Sequence, residues 1–376
     1  MAVASKDMAP LEEKTAAAQP RKRTQAETLA SLRKVWPWVF LVGMLIFFTV
    51  ASQQMNNVNF LTPRALQGIM LYATLILIVG LAETFVIITG GIDLSVGWTL
   101  GFSAVIAAQI MEYLYARDVP QPQTIVIGML GGVAVAVFPG LLNGILIAKI
   151  KVPSLIATLG VGFLVEGIAL IQSNGFPIAN QPPILGDLGN GSILHFSPGN
   201  WLVLFAVPAN ATQAQLQANI PLMPNTVLIT ILVTMACWFI LAKTQFGQHI
   251  YAIGGNPEAA SRAGIPVART LIKMYILAAV LAGIAGVVWA ARFTSGAYNA
   301  GETTLMNSIA AVVLGGASTL GGEGTVVGTT IGALIIATII YGLVVLGVLA
   351  FTQFVIVGIV LALALIVDQF GRNLGK

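Results

Sequence analysis

Charge is what this chain of 376 residues has least of: Asp, Glu, Lys and Arg together make up 9% of it. Soluble domains carry roughly 25%. With 57% hydrophobic residues and a mean hydropathy of +0.90, a soluble fold would have too little polar surface to cover its apolar side chains. The single cysteine, Cys237, excludes an intrachain disulfide framework. Two histidines far apart, His195 and His249, leave no zinc site of ordinary composition, so no metal is expected. The net charge of +4 is spread over short loops, which excludes a nucleic-acid footprint. There is no Gly-x4-Gly-Lys-Ser/Thr phosphate loop, no His-Glu-x-x-His and no Gly-x-Ser-x-Gly turn. The chain should therefore bind no ATP in the P-loop manner, carry no cofactor and present no catalytic residue. Nor does it contain an arginine-studded voltage-sensing span or a Thr-Val-Gly-Tyr-Gly filter.

Long apolar runs are abundant instead. About 20 apolar residues cross a bilayer as a helix. Candidate spans lie at 36–53, 66–89, 97–115, 124–148, 153–173, 225–242, 271–291, 303–319, 325–348 and 350–368. The fold class expected is all-α, a polytopic membrane protein of about ten transmembrane helices. Residues 201–207 are too short to span and are expected to dip into the interface. Residues 1–35 form a basic tail, 36–370 the transmembrane domain, and 243–270 a loop within it. The tail is not a secretory signal, because no short apolar core follows its cations at once. Residues 1–25 read as disordered and 26–35 as a short amphipathic helix on the membrane surface.

Orientation follows from the cations. With the N-terminus inside, seven lie in the tail. Lys149, Lys151, Lys243, Arg262, Arg269, Lys273, Arg372 and Lys376 fall on the same side, giving 15 of the 18 Lys and Arg. The long connection 174–224 has none. Cytoplasmic loops attract Lys and Arg, so N-in, C-in with an even number of spans is expected, and 243–270 is a cytoplasmic loop.

Polar groups beside membrane spans are the site candidates. Asp93 sits in Thr89-Gly90-Gly91-Ile92-Asp93-Leu94-Ser95-Val96-Gly97, a tight turn between two spans. Glu83 and Glu166 lie within spans, as do Asn143 and Asn307. Each could face a polar solute or hydrogen-bond a neighbouring helix, and both readings stand. The forty glycines include pairs at four-residue spacing (Gly97/Gly101, Gly128/Gly132, Gly140/Gly144, Gly324/Gly328 and Gly328/Gly332), which let helix backbones approach. Gly90, Gly91, Gly97 and Gly101 also match Gly321, Gly322, Gly328 and Gly332 at an offset of 231 residues. This is a candidate internal repeat, with both turns on the cytoplasmic side.

The cytoplasmic loop contains a well-bounded helix. Asn256 is an N-cap, Pro257 suits the first position, and Glu258 and Arg262 form an i,i+4 pair. Ala259 lies in the first turn. Gly264 suits a left-handed exit, and Pro266 prevents continuation. A two-turn helix standing alone is marginal in water, so this one is expected to dock on a cytoplasmic partner.

Several strings resemble the membrane permeases of bacterial ATP-binding-cassette importers for monosaccharides, the group that includes ribose, xylose and galactose permeases. They are Thr89–Gly97, Asn143-Gly144 through Lys151-Val152-Pro153-Ser154-Leu155-Ile156-Ala157-Thr158-Leu159-Gly160, Phe246-Gly247 through Gly264-Ile265, and Gly315-Gly316 through Gly328. The resemblance covers about residues 35–370. It implies alternating access in the bacterial inner membrane, a homodimer or a pair of similar permeases, a cytoplasmic ATPase that holds ATP and magnesium, and a periplasmic sugar-binding protein. Asn256–Gly264 would couple the ATPase to the membrane subunit. The basic tail and the loop 174–224 are less typical. Three rivals remain: the same importer class with another cargo, such as a polyol, nucleoside or branched-chain amino acid; a proton-driven secondary transporter using Glu83 or Glu166; and a structural or scaffold membrane protein, which would leave the capped helix and Asp93 unexplained.

Overall fold

The structure is a computed structural model that describes residues 25–196, 203–204, 212 and 219–373. The expected disordered tail, 1–25, lies almost wholly outside the described residues. Helix α1 (Gln25–Asn56) is continuous. Residues 26–35 are therefore its first turns and not a separate surface helix. Then follow α2 (Pro63–Ile88), α3 (Ser95–Tyr115), α4 (Gln121–Val135), α5 (Val137–Ala148), α6 (Ser154–Ser173) and the short α7 (Pro183–Asn190).

A small antiparallel sheet comes next, formed by β1 (Ser192–Phe196), β2 (Val203–Leu204) and β3 (Ile220–Pro224) in the order β2-β1-β3. It corrects the all-α expectation. Within 201–207, Val203 and Leu204 pair with Leu194 and His195 as a strand edge, and the flanking residues lie outside the described ones. The chain continues with α8 (Asn225–Lys243), α9 (Gln245–Gly255), α10 (Pro257–Arg262), α11 (Val267–Phe293), α12 (Glu302–Leu314), α13 (Val326–Val345) and α14 (Ala350–Asn373).

Seven stretches among the described residues are helices long and apolar enough to cross a membrane: Val35–Asn56, Pro63–Ile88, Gln121–Ala148, Ser154–Ser173, Asn225–Lys243, Val267–Phe293 and Val326–Val345. The expected span 124–148 is two helices that join at Ala136. Pro139 explains the break, since its missing N–H leaves the carbonyl of Val135 without its helical donor. The expected span 303–319 is shorter than read. Its helix ends at Leu314, and Gly316, Gly321, Gly322 and Gly324 then take positive φ. At 1.5 Å per residue, the 13 residues of α12 fall short of a roughly 30 Å hydrocarbon core.

α2 and α11 form the centre. Most of α2 from Ala73 to Ile88 is buried, and α11 packs against α2, α3 and α5. Small residues permit this. A Cβ on Gly140 would stand 2.7 Å from the Tyr275 carbonyl, and one on Gly144 would stand 2.8 Å from the Ile272 Cα. Those glycines close α5 onto α11 within one chain. Gly328 and Gly332 do the same for α13 against Gly315 and Ala311 at the end of α12.

Candidate functional site

α2 ends at the Gly-rich turn, where Gly90 has φ +81°. Asp93 is 1% exposed. Its Oδ1 accepts from the Ser95 N–H at 2.9 Å and from the Ser95 hydroxyl at 2.6 Å. The Asn143 amide donates to Ser95 Oγ at 2.8 Å. From α6, the Thr158 hydroxyl accepts the Leu94 N–H at 3.1 Å, and Ser154 Oγ accepts the Ile92 N–H at 3.4 Å. Asn143 and the start of α6 thus close on one turn from 48 to 64 residues away. Glu83, in the last turns of α2, is fully buried. Among the described residues, both its carboxyl oxygens, Asp93 Oδ2 and Asn143 Oδ1 meet no donor at ordinary hydrogen-bond geometry. Tyr275 of α11 reaches the same turn, where a Cβ on Gly91 would stand 3.0 Å from its hydroxyl oxygen and 3.5 Å from Ser154 Oγ. The cluster joins α2, α3, α5, α6 and α11 as a polar knot in an apolar core. Sequence reasoning missed Ser95, Ser154 and Thr158, whose only signal was their place inside the quoted strings, and Tyr275, which lies outside them.

A second junction lies beside this turn. The Gly322 N–H donates to the Ile88 carbonyl at 2.8 Å. A Cβ on Gly321 would stand 3.1 Å from the Gly90 nitrogen and 2.8 Å from the Gly254 carbonyl oxygen. A Cβ on Gly254 would collide with the Ile88 carbonyl oxygen. The two glycine pairs matched at an offset of 231 residues therefore meet in space, and the end of α9 is pressed against both. Tyr251 of α9 pins the contact by donating to the Gly324 carbonyl at 2.6 Å. Burial raises the pKa of this phenol, which keeps it a donor.

α10 follows without a linker. Asn256 Oδ1 accepts the N–H groups of Glu258 and Ala259, each at 3.0 Å. Gly264 exits at φ +84°, and the Ile265 N–H returns to the Ala260 carbonyl at 3.1 Å. The Glu258–Arg262 pair is 3.8 Å apart and almost fully exposed. The caps agree with the sequence reading, but the helix does not stand alone. It is the tip of an arm whose base, α9, buries Gly247, Ile250 and Ile253.

The family described as the permease component of branched-chain amino acid transport systems matches residues 65–365. The chain belongs to this family. Among its relatives are the L-arabinose ABC transporter permease protein of Azospirillum brasilense, 34% identical over 343 residues and 90% of each chain, and the ribose import permease protein of Bacillus subtilis, 34% identical over 343 residues, 90% of this chain and 93% of the relative. The fructose import permease protein of Rhizobium meliloti is 32% identical over 338 residues, 90% of this chain and 85% of the relative. No solved structure matches the chain.

The permease thus has two kinds of polar residue where the sequence suggested one. Glu83, Asp93 and Asn143 are sealed in the core. Glu166 and Asn307 are only partly buried, and Glu166 lies within electrostatic reach of Glu302. Between α11 and α12 the chain is not helical. Gly296 forms a β-bridge with Ile178, at 2.8 and 3.0 Å, and lies against the Ala104 carbonyl midway along α3. Gly301 lies against the Gly97 carbonyl. Beside Ile178, a polar pocket of about 430 Å³ is lined by Gln109, Glu112, Gln172, Asn174 and Asn180.

Proposed function

We propose that this permease is the membrane subunit of an ATP-driven importer in the bacterial inner membrane and that its cargo is a monosaccharide. The observation that carries the coupling role is the α9–α10 arm, exposed at its tip and fixed at its base to both Gly-rich turns. A partner that moves α10 would move those turns. The partner fitting such an arm is a cytoplasmic ATPase that holds ATP and magnesium itself. A periplasmic sugar-binding protein would deliver cargo from the other side.

Topology supports this arrangement. Lys149, Lys151, Lys243, Arg262, Arg269 and Lys273 flank helix ends that share one side with the Gly-rich turns, and the described cation-free residues 174–196 and 219–224 follow the opposite end of α6 and precede α8. That side is cytoplasmic by the distribution of Lys and Arg. α3, the unwound segment with α12, and α14 would complete ten crossings, N-in and C-in. A second copy would pack on α6. Gly160 and Gly167 there have open space in front of them, unlike the glycines of α5 or α13, and small residues facing outward suit helix contact in lipid.

The sugar assignment follows the relatives named for L-arabinose, ribose and fructose. The test is uptake in vesicles that contain the permease, its ATPase and its binding protein, with a panel of labelled monosaccharides and branched-chain amino acids. ATP-dependent uptake of a monosaccharide, requiring both partners, is expected. Uptake confined to amino acids would overturn the cargo. Uptake by the permease alone, abolished by a protonophore, would overturn the importer.

The arm makes a separate prediction. Glu258→Ala with Arg262→Ala should leave the folded permease intact, because an exposed ion pair adds little stability. The same change should weaken ATPase capture or uncouple hydrolysis from uptake. Co-purification and the ratio of sugar imported to ATP hydrolysed measure the two effects. Wild-type values for both would remove α10 from the coupling role.

A further inference from the structure

Within the importer reading above, one strip of side chains is built for a neutral polyhydroxylated solute. Trp98 projects from α3 against Gly162 of α6. Its ring stands 5.3 Å from the ring of Phe163, tilted by 41°. Phe163 is 58% exposed. Glu166, three residues further, shares that side of α6. Glu302 begins α12, is exposed, and is within electrostatic reach of Glu166. Met306, one turn on, is 59% exposed.

Depth makes this arrangement informative. Glu166 is near the middle of a 20-residue helix apolar enough to span. A partly exposed carboxylate there does not face hydrocarbon; such groups face a bundle interior or water. The neighbouring backbone points the same way. Residues 294–301 run past the middle of α3 without helical hydrogen bonding, and non-helical backbone at membrane depth is tolerated where it is buried in protein or lines a water-filled cavity. The open glycines Gly160 and Gly167 mark one side of α6. Phe163 shares the face of Gly160 and Gly167, three and four residues away, and Glu166 lies at its edge, so a second copy seated there would set the strip along the border of the seam between the two copies.

We infer that Trp98, Phe163, Glu166 and Glu302 form the solute-contacting wall of the translocation pathway. The aromatic pair offers an apolar platform to the C–H face of a sugar ring, and the two acids accept its hydroxyls. The strip contains no Lys or Arg. It therefore has nothing to pair with the carboxylate of an amino acid, which separates a sugar from the branched-chain amino acids in the family's description.

The test uses the full complex with Cys237 replaced by Ser. Phe163→Cys should react with a membrane-impermeant thiol reagent, and the adduct should block uptake. Phe239→Cys on the apolar outer side of α8 should stay unreactive. Glu166→Gln and Glu302→Gln should each lower sugar imported per ATP hydrolysed by roughly tenfold, about the worth of one hydrogen bond to a charged group. ATPase stimulation by the binding protein should persist, which a merely misfolded variant would not show. A Phe163→Cys that reacts only with lipid-soluble reagents overturns the wall, as does a labelled complex that still imports normally. A wild-type complex that imports no monosaccharide overturns the importer reading and the ligand with it. A dry strip in an importing complex overturns the strip alone.

Discussion

Gly254→Ala should cut coupled transport at least tenfold, whereas Gly255→Ala, one residue later, should be tolerated. The two glycines stand side by side in the same string, and sequence alone does not distinguish them. In the structure a Cβ on Gly254 meets the Ile88 carbonyl oxygen and stands 2.6 Å from the Gly322 nitrogen. Both obstacles are backbone, so no rotamer change relieves the clash. Overpacking of this kind costs roughly 1–3 kcal/mol, and here the cheaper response is for α9 to lift away from both Gly-rich turns. The Tyr251 bond to Gly324 would then be lost as well. A Cβ on Gly255 has nothing within 4 Å, and alanine gains up to about 1 kcal/mol over glycine inside a helix. Sugar uptake, ATPase capture and hydrolysis, measured together, separate the outcomes. We expect Gly254→Ala to retain hydrolysis while uptake falls at least tenfold, a shift of about 1.4 kcal/mol in coupling. Equal behaviour of the two variants would show that the junction does not transmit the movement of α10.

Asp93→Ala should lose folded protein, and Asp93→Asn should retain most of it. The carboxylate holds the Ser95 N–H and hydroxyl at 2.9 and 2.6 Å. Through Ser95 it also orders Asn143. Alanine leaves two buried donors unmet, and each such group costs about 1–3 kcal/mol. A loss of roughly 2–6 kcal/mol is a large part of the stability of an ordinary fold. Asparagine keeps one carbonyl acceptor in the same place. Thermal unfolding in detergent should rank wild type above Asp93→Asn and both above Asp93→Ala. Arg117→Gln serves as the reference, since Arg117 caps an exposed helix end over Tyr113. If Asp93→Ala melts with Arg117→Gln, the turn is held by its glycines and not by the acid.

Low charge, apolar runs and cation asymmetry identified a polytopic helical protein because the bilayer leaves a chain few other solutions. Helix limits near 63–88, 154–173 and 225–243 were legible for the same reason. The caps of α10 were legible because capping is local: Asn256, Glu258, Arg262 and Gly264 interact within nine residues. The small sheet was missed because its strands hold two to five residues each, too few for a period. The short α12 was read as a full span because its apolar composition runs on past Leu314, while the glycines that end it act through φ angles.

The site divides along the same line. The sequence by itself determined which residues were polar at membrane depth and which elements were bounded, since composition, period and capping act over a turn or two of chain. Tertiary structure alone decided that Asp93 and Asn143 belong to one sealed knot while Glu166 stays partly exposed. It alone brought Gly90, Gly254 and Gly322 together across more than 200 residues. Those outcomes depend on backbone contacts between distant segments, where the absence of a side chain is what matters.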